Sequence, residues 1–322
     1  MANKPKSVPR AIFLIPPDVQ LLDLAGVALV FGKAEVYGAP YEILFCSSEK
    51  LVQTIGNLQL ANLVHYSEIE ICPTDTLLVP GFEEPVVMSQ GYRRRNKKLF
   101  AWIRDAVERQ ALVCSVCSGS YLLAEAGVLD GCDCATHWTC FDDMQERFPQ
   151  LNIVRDRLFV QSRPNVYTSA GVTSGIDLAL HILKERHGPK LAFQVARRLV
   201  VYMRRNGNTD QGSVYLKYRN HVDDVVHAAQ DYLIKNIQDK NTIDDLAEGV
   251  NSSPRNLTRK FKLRTGLTIG QYLSEIRLER ARELLENTEC TVEHVAQECG
   301  FSGARQLRNL FHKKYSRPPR AV

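Results

Sequence analysis

The feature that most constrains this chain is a short helical pattern that occurs twice near its C-terminal end. Apolar residues recur with the same spacing in both copies, at Ile243, Leu246, Ala247 and Val250 and again at Val292, Val295, Ala296 and Cys299. The copies are 49 residues apart before a polar turn and 50 residues apart after it, so the second turn holds one additional residue. This spacing indicates an amphipathic helix, and its central alanine lets a second helix cross closely. Residues 242–322 are therefore predicted to hold two helix-turn-helix units that form an internal repeat.

The helix predicted after each turn carries positive charge. Residues 253–264 hold five lysines and arginines and no acid, and residues 303–320 hold six and no acid. Ser253 followed by Pro254 is a favourable N-cap and first-turn pair, and Ser302 is expected to cap the other helix. Because the net charge of the whole chain is only +5, it is the local clustering that indicates a DNA-binding surface.

A connecting helix is predicted between the two units. Residues 269–287 carry one apolar stripe, and acids and bases are mixed on the remaining faces. A helix of roughly 19 residues is about 28 Å long, close to the roughly 34 Å between successive major-groove faces on one side of B-DNA. The spacing therefore suits two recognition helices on one face of a duplex.

Three stretches of this region resemble the AraC family. They are Ser-Pro-Arg-Asn-Leu-Thr-Arg-Lys-Phe at 253–261, Arg-Leu-Glu-Arg-Ala-Arg-Glu-Leu-Leu at 277–285, and Cys-Gly-Phe-Ser at 299–302. The resemblance implies double-stranded DNA as a partner, with base contacts from both units. The DNA-binding residues that it implies are Arg255, Thr258, Arg259, Lys262, Arg305, Arg308, Asn309 and Lys313.

Length and composition set the remaining limits. A chain of 322 residues can form two domains that each bury a core. The first apolar run ends at Pro16 and Pro17, which predicts a strand over residues 10–16 and not a signal peptide. No run approaches the roughly 18 apolar residues of a membrane span, and the nine cysteines show no disulfide framework. A reduced, cytoplasmic protein with no membrane partner is therefore expected.

Strand and helix patterns alternate over the first two thirds of the chain. Strands are predicted at 10–16, 41–47, 76–80, 111–116, 152–160 and 166–169, with a hairpin at 51–60. Helices are predicted at 23–38, 96–110, 119–126, 140–148, 173–186 and 190–205. This alternation predicts an α/β domain with a doubly wound, mostly parallel, flavodoxin-like sheet, followed by the all-α domain with two helix-turn-helix units. The predicted domains are 8–205 and 221–322, joined by a linker at 206–220 whose polar core is 206–212, and a helix at 221–236 leads into the second domain.

Residues 111–119 carry the clearest chemical pattern of the first domain. An apolar strand is followed by small residues around Cys117 and then by a helix. This pattern is typical of a nucleophile elbow, in which a tight turn exposes one side chain above the sheet. The helix N-terminus behind the cysteine is expected to favour a thiolate. A small buried cysteine without a chemical role fits the pattern equally well.

The first domain also resembles a known family, PfpI/ThiJ, which has the class I glutamine amidotransferase-like fold. The resemblance rests on residues 115–131, on Ala-Thr-His-Trp at 135–138 and on residues 167–180, and it covers about residues 8–205. Asp23 matches the acid that approaches the elbow cysteine in this family. The whole chain is similar to the GlxA-type branch of AraC regulators. This implies a homodimer that binds an amino-acid-like or quaternary-amine-like effector through Asp23, Cys117, Ser118, Gly119 and His137.

An enzyme is the competing interpretation. PfpI-type proteases place a histidine directly after the cysteine, where this chain has Ser118. Without an adjacent general base, hydrolysis loses a factor of about 100 to 10,000, although His137 could substitute. The alternative is therefore an amidase-like or isonitrile-hydratase-like enzyme that uses Cys117 and Asp23 and is tethered to DNA.

A zinc site and a cysteine redox pair are two further possibilities for the first domain. Four potential zinc ligands lie within nine residues, namely Cys132, Cys134, His137 and Cys140. Cys-x-Cys is tighter than the usual zinc spacing, and a strand would point neighbouring residues to opposite faces. The same objection applies to Cys114 and Cys117 as a redox pair. The sequence therefore predicts neither a metal nor a cofactor.

Overall fold

The computed structural model describes residues 8–83, 89–201, 214–219, 221–239, 242–287 and 290–319. They fall into two compact units, with the division between Gln211 and Gly212. The polar linker core predicted at 206–212 lies outside the described residues. Among the described helices, none combines the length and the apolar character that a membrane span requires.

The first unit is built around a seven-stranded sheet. The described strands in chain order are β1 (Arg10–Leu14), β2 (Glu42–Ser47), β3 (Leu51–Gln53), β4 (Gln59–Ala61), β5 (Val64–His65), β6 (Thr76–Val79), β7 (Leu112–Val116), β8 (Asp133–Cys134), β9 (Asn152–Ile153), β10 (Phe159–Arg163) and β11 (Val166–Ser169). The sheet order is β10-β11-β7-β6-β1-β2-β5, and its neighbours are parallel except for β10 and β11. Strands β3 and β4 form the predicted hairpin.

Helices cover both faces of this sheet. They are α1 (Leu21–Ala34), α2 (Gln90–Arg95), α3 (Lys97–Glu108), α4 (Ser120–Glu125), α5 (Phe141–Arg147), α6 (Thr173–His187) and α7 (Pro189–Arg198). Ile12 and Leu14 pack with α3 and α4 on one face, whereas Ala11 and Phe13 pack with α1, α6 and α7 on the other. The predicted doubly wound sheet is therefore confirmed. Helix α7 is shorter than predicted, since it ends at Arg198 and Val200 has a φ of 58°.

The second unit consists of helices. They are α8 (Val214–Lys217), α9 (Asp224–Lys235), α10 (Ile243–Gly249), α11 (Pro254–Thr265), α12 (Ile269–Asn287), α13 (Val292–Glu298) and α14 (Ala304–Tyr315). Most of the repeated apolar positions are buried in two separate cores, with Leu246 and Phe261 in the first and Val295 and Phe311 in the second, whereas Ile243 is exposed. Both predicted helix-turn-helix units and the connecting helix α12 are confirmed.

The helix caps show how closely the two helix-turn-helix units repeat each other. Thr242 and Thr291, which are equivalent positions, accept hydrogen bonds at the starts of α10 and α13. Ser253 caps α11 as predicted. The prediction that Ser302 caps α14 is wrong, because the additional residue in the second turn places Gly303 at the N-cap. The Ser302 hydroxyl instead donates to the side chain of Gln306 at 3.0 Å.

Arg277 of the connecting helix joins the two helix-turn-helix units. Its Nε donates to the carbonyl of Ile237 at 2.9 Å, and its Nη2 donates to the carbonyl of Asp239 at 2.8 Å. The turn of the second unit presses on the same guanidinium, since a Cβ on Gly300 would lie 2.7 Å from Nη2. An ion pair of 2.8 Å between Lys314 and Glu275 fixes α14 to α12. These contacts connect the two helix-turn-helix units through α12.

Candidate functional site

Four neighbouring strands of the first unit deliver residues to one edge of the sheet. Strands β11, β7, β6 and β1 are adjacent and parallel, so their carboxyl ends lie together. Cys117 follows β7, Gly81 follows β6, and Gly171 and Val172 follow β11. Asp23 lies in the first turn of α1, the helix that follows β1. This edge is where open α/β sheets bind their ligands.

Cys117 occupies a tight turn that only small neighbours permit. Its φ is 57°, a left-handed value that costs a non-glycine residue energy and that is frequent at functional sites. A Cβ added at Gly171 would lie 2.2 Å from Cβ of Cys117, and one added at Gly81 would lie 2.7 Å from it. A Cβ at Gly119 would lie 2.1 Å from the carbonyl oxygen of Val79. The three glycines therefore allow the strand-to-helix turn that the sequence pattern predicts.

The Asp23 carboxylate is buried beside this turn, and only one of its oxygens is satisfied. Its side chain is 1% exposed. Oδ1 accepts a hydrogen bond of 2.5 Å from the N–H of Val172, a β-branched residue with a φ of 52°. Oδ2 has no well-formed hydrogen bond to any described residue. The Cys117 thiol and the N–H of Gly81 lie close to the carboxylate and interact with it weakly. A buried oxygen without a partner is costly, and a ligand that donates to it would remove that cost.

The electrostatics of the pair oppose a reactive thiolate. Burial raises the pKa of the Asp23 carboxyl, and the hydrogen bond from Val172 only partly offsets this. Burial and then the negative charge of Asp23 raise the pKa of the Cys117 thiol far above its ordinary value, while the Ser118 N–H lowers it. Burial and the nearby carboxylate therefore act against the thiolate that was expected at the helix N-terminus, and the Ser118 N–H offsets them only in part.

Two further predicted site residues are held by other groups. The Ser118 Oγ accepts from the N–H of Phe82 and donates to its carbonyl, both at 2.8 Å. The Nδ1 of His137 lies 2.7 Å from Oγ1 of Thr139. Ser118 therefore fixes the loop after β6, and His137 is oriented by its neighbour on the next segment.

These residues surround a polar pocket of about 630 Å³. It is lined by Gln20, Asp23, Phe82, Glu83, Ser89, Cys117, Ser118, His137, Thr139, Cys140, Arg147 and Val172. Four of the five predicted ligand-binding residues are among them, while Gly119 lies behind Cys117 against Val79. Sequence reasoning missed Gln20, Glu83, Arg147 and Val172, which come from loops and from the end of α5. No local sequence signal points to them, because only the fold brings them to the pocket.

The candidate zinc ligands do not form a cluster. Within the described residues no three histidine, cysteine or acidic side chains are placed to hold a metal ion. Cys134 and Cys140 are buried, and Cys132 is half-buried. The Sγ of Cys134 points to the carbonyl of Ala135 at 3.7 Å. The structure therefore does not bring the four candidate ligands together.

Removal of the Asp23 charge is expected to activate the Cys117 thiol. In Asp23→Asn the carboxylate no longer raises the thiol pKa, so the thiolate fraction at pH 7.5 increases tenfold for each unit by which the pKa falls. Iodoacetamide labelling followed by peptide mass spectrometry measures this, with the exposed Cys72 as an internal control. Equal labelling of Cys117 in both proteins, at an unchanged rate for Cys72, would contradict the assignment.

The predicted DNA-contacting residues lie on the outward sides of α11 and α14. Exposed cations occur on both helices, at Arg255, Arg259, Lys262, Arg305, Arg308 and Lys313, with Asn309 exposed beside them and Thr258 half-buried. Leu257 and Phe261 face inward on α11. Arg308 forms an ion pair of 2.9 Å with Glu293, and both side chains are more than half exposed. Such a pair contributes about 0–1 kcal/mol and can be exchanged for contacts to DNA.

Comparison with known proteins extends these observations. The DJ-1/PfpI family model matches residues 9–185, and a helix-turn-helix domain model matches residues 246–322. The HTH-type transcriptional regulator GbdR of Pseudomonas aeruginosa is 34% identical over 211 residues, which are 64% of this chain and 56% of GbdR. The chain thus spans little more than half the length of that relative. The HTH-type transcriptional regulator ArgR of the same species is 31% identical over 314 residues, covering 97% of this chain and 92% of ArgR.

An enzyme and a solved structure are also similar to the first unit. Isonitrile hydratase of Pseudomonas putida is 28% identical over 196 residues, covering 58% of this chain and 76% of the enzyme. The crystal structure of an AraC family transcriptional regulator from Pseudomonas putida has a TM-score of 0.51 at 21% identity, covering 59% of this chain and 98% of that one. The structural likeness supports the fold. The chain therefore belongs to the family of HTH-type transcriptional regulators in which a DJ-1/PfpI domain precedes an AraC-type helix-turn-helix domain.

Proposed function

We propose that this protein is a transcription regulator that binds a specific operator through residues 221–322 and a small metabolite through residues 8–205. The observation that carries the proposal is the Asp23 carboxylate, whose buried Oδ2 makes no well-formed hydrogen bond among the described residues and interacts only weakly with Gly81 and Cys117. It lies in a polar pocket of a chain that also has two outward-facing cationic helices. Such a group favours ligand binding, because a ligand that donates a hydrogen bond to a buried, poorly satisfied acceptor removes the cost of leaving that acceptor unpaired.

The pocket is proposed to bind its ligand without converting it. A cysteine nucleophile must be deprotonated, and the Cys117 thiol is held protonated by burial and by Asp23. The residue after it, Ser118, has its hydroxyl occupied by the backbone of Phe82. The similarity to isonitrile hydratase keeps a cysteine enzyme as the second candidate. Turnover of small amides or isonitriles by the purified protein would establish that candidate.

The charges of the pocket indicate the chemistry of the effector. Asp23 and Glu83 are acids, and Arg147 is a base that also pairs with Asp143 at 2.8 Å, so the lining carries groups for a cation and for a carboxylate. An ammonium group would donate to Oδ2 of Asp23, and a quaternary amine would interact with it through charge alone. An amino acid or a betaine fits both requirements, and about 630 Å³ is ample for either.

A cytoplasmic homodimer is part of this proposal. The α/β unit is proposed to pair two chains through helices that flank its sheet, as the family resemblance implies. Each chain then presents two reading helices, so the operator should contain two similar half-sites, each longer than one DNA turn. Light scattering at micromolar concentration should give the mass of two chains. A monomer under these conditions would contradict the dimer.

A thermal-shift screen of amino acids and betaines tests the proposed function most directly. A ligand at 100 times its dissociation constant stabilises the folded state by about 2.7 kcal/mol. The same ligand must change affinity for DNA fragments obtained by binding-site selection, because an effector regulates only if it prefers one state of the protein. If no compound stabilises the protein and no DNA sequence is enriched, the proposal fails.

A further inference from the structure

Leu263 is an apolar side chain on the outward face of the first recognition helix. It is 68% exposed. It follows Arg259 by four residues and Arg255 by eight, so the three side chains lie on the same side of α11. The buried Leu257 and Phe261 occupy the opposite side. Leu263 therefore contributes little to the core and points where the predicted base-reading residues point.

Apolar and cationic side chains surround Leu263 in a defined arrangement. It lies in a shallow groove of about 850 Å³ between the start of α10 and the face of α11. The groove is lined by Ile243, Asp244, Pro254, Arg255, Thr258, Arg259, Lys262 and Leu263. Ile243 is itself 46% exposed. An apolar floor beside several cations is complementary to DNA, because phosphates attract the cations while the major groove holds one apolar group, the C5 methyl of thymine.

The repeat shows that this leucine is not a structural requirement of the unit. The offset of 50 residues that relates the second helices aligns Leu257 with Leu307 and Phe261 with Phe311. The same offset aligns Leu263 with Lys313, which is also exposed. One unit thus keeps a leucine where the other has a cation, although their cores are equivalent. Because this difference lies on the exposed faces of α11 and α14, we expect it to affect what these helices bind and not how they fold.

We propose that Leu263, with Ile243 beside it, contacts the C5 methyl of thymine in the major groove and is a specificity-determining residue of the first unit. The inference rests on the proposed DNA-binding function. Arg255 and Arg259 supply contacts to guanine or phosphate, and they place the helix so that Leu263 meets the neighbouring base pairs. The second unit has Lys313 at this position and gains a cationic contact instead.

Binding-site selection from a random DNA library with full-length protein tests this contact. The wild-type motif should contain one or two thymines in the first subsite, and Leu263→Ala should select the same motif without that preference. Leu263→Lys introduces the residue that the second helix-turn-helix unit has at the equivalent position, Lys313. This variant should bind DNA at least as tightly as the wild type but should also lose the thymine preference. Lys313→Ala is the matched control, which should keep the thymines and reduce the salt dependence of binding. If wild-type protein enriches no motif, the proposed function fails before Leu263 is tested.

Replacement of those thymines by deoxyuridine isolates the methyl group. Loss of one buried methyl contact should weaken wild-type binding about fourfold, and the same replacement should leave Leu263→Ala and Leu263→Lys unaffected. Because the side chain is exposed, both variants should melt at the wild-type temperature. The assignment would be overturned if Leu263→Ala selected an unchanged motif, or if deoxyuridine DNA weakened the binding of all three proteins equally. Leu263 would then be assigned to contact with a protein partner.

Discussion

The Asp23→Ala protein is expected to bind its operator as tightly as the wild type and to show no response to the effector. Asp23 lies in the α/β unit, and it supplies the buried acceptor Oδ2 that a cationic ligand would need. Allosteric coupling usually changes affinity about 5- to 150-fold, and this factor should fall to one. Operator affinity measured by fluorescence anisotropy, with and without ligand, gives the result.

Control variants separate ligand recognition from damage to the fold. Asp23→Ala leaves the N–H of Val172 without an acceptor, which costs about 1–3 kcal/mol. Asp23→Asn keeps an acceptor for that N–H and removes only the charge, so it should fold normally and still not respond. Cys117→Ala should retain its basal operator affinity. An Asp23→Asn protein that responds in full would place the sensor elsewhere.

The raised pKa of Asp23 adds a pH dependence to the same result. Burial raises the pKa of this carboxyl, so it becomes neutral at a higher pH than an exposed aspartate does. The response to a cationic effector should therefore weaken on acidification at a higher pH than exposed carboxylates titrate, which effector titrations of operator affinity across pH would measure.

The Arg259→Ala protein is expected to lose both affinity and sequence preference. Arg259 is exposed on the outward side of α11, where its Nη2 makes a long hydrogen bond of 3.3 Å to Asn256. A bidentate contact to guanine O6 and N7 contributes about 1–3 kcal/mol of discrimination, a factor of about 5 to 150. Binding-site selection should therefore return a motif that is degenerate at one or two positions. An unchanged motif would show that Arg259 reads no base.

Lys262→Ala is the matched control on the same helix. Lys262 is exposed and lines the same groove as Leu263, where a phosphate contact is expected. Its loss should weaken binding to all sequences alike and lower the salt dependence by roughly one phosphate contact, without altering the motif. A changed motif in Lys262→Ala would move base recognition to this residue.

The sequence predicted those parts of the structure that depend on long periodic patterns. The apolar pattern that recurs after 49 residues located both cores of the helical domain, and alternating strands and helices predicted the parallel sheet. Strands β5 and β8 were missed because each has only two residues, too few for periodicity to be seen. Ser302 was misassigned as a cap because one inserted residue moved Gly303 into that position.

The candidate site was predictable where chain order determines position. Asp23 and Cys117 follow parallel strands, so both had to reach the same edge of the sheet. Glu83 and Arg147 could not be foreseen, since a loop and the end of α5 bring them there. The raised pKa of the Cys117 thiol results from burial and from a carboxylate that is distant in sequence, and local motif reasoning accounts for neither.

The contacts of Arg277 have a consequence for the DNA that this protein can use. Arg277 is bonded to the segment after α9, and Gly300 in the turn of the second helix-turn-helix unit packs closely against the same guanidinium. Under the proposed function, the two recognition helices are therefore expected to move together along a duplex. Each base pair inserted between the two subsites would rotate the second by about 36° around the duplex axis, because B-DNA has about 10 base pairs per turn. Target promoters can therefore differ in base sequence, whereas the helical phase between paired subsites should be constant.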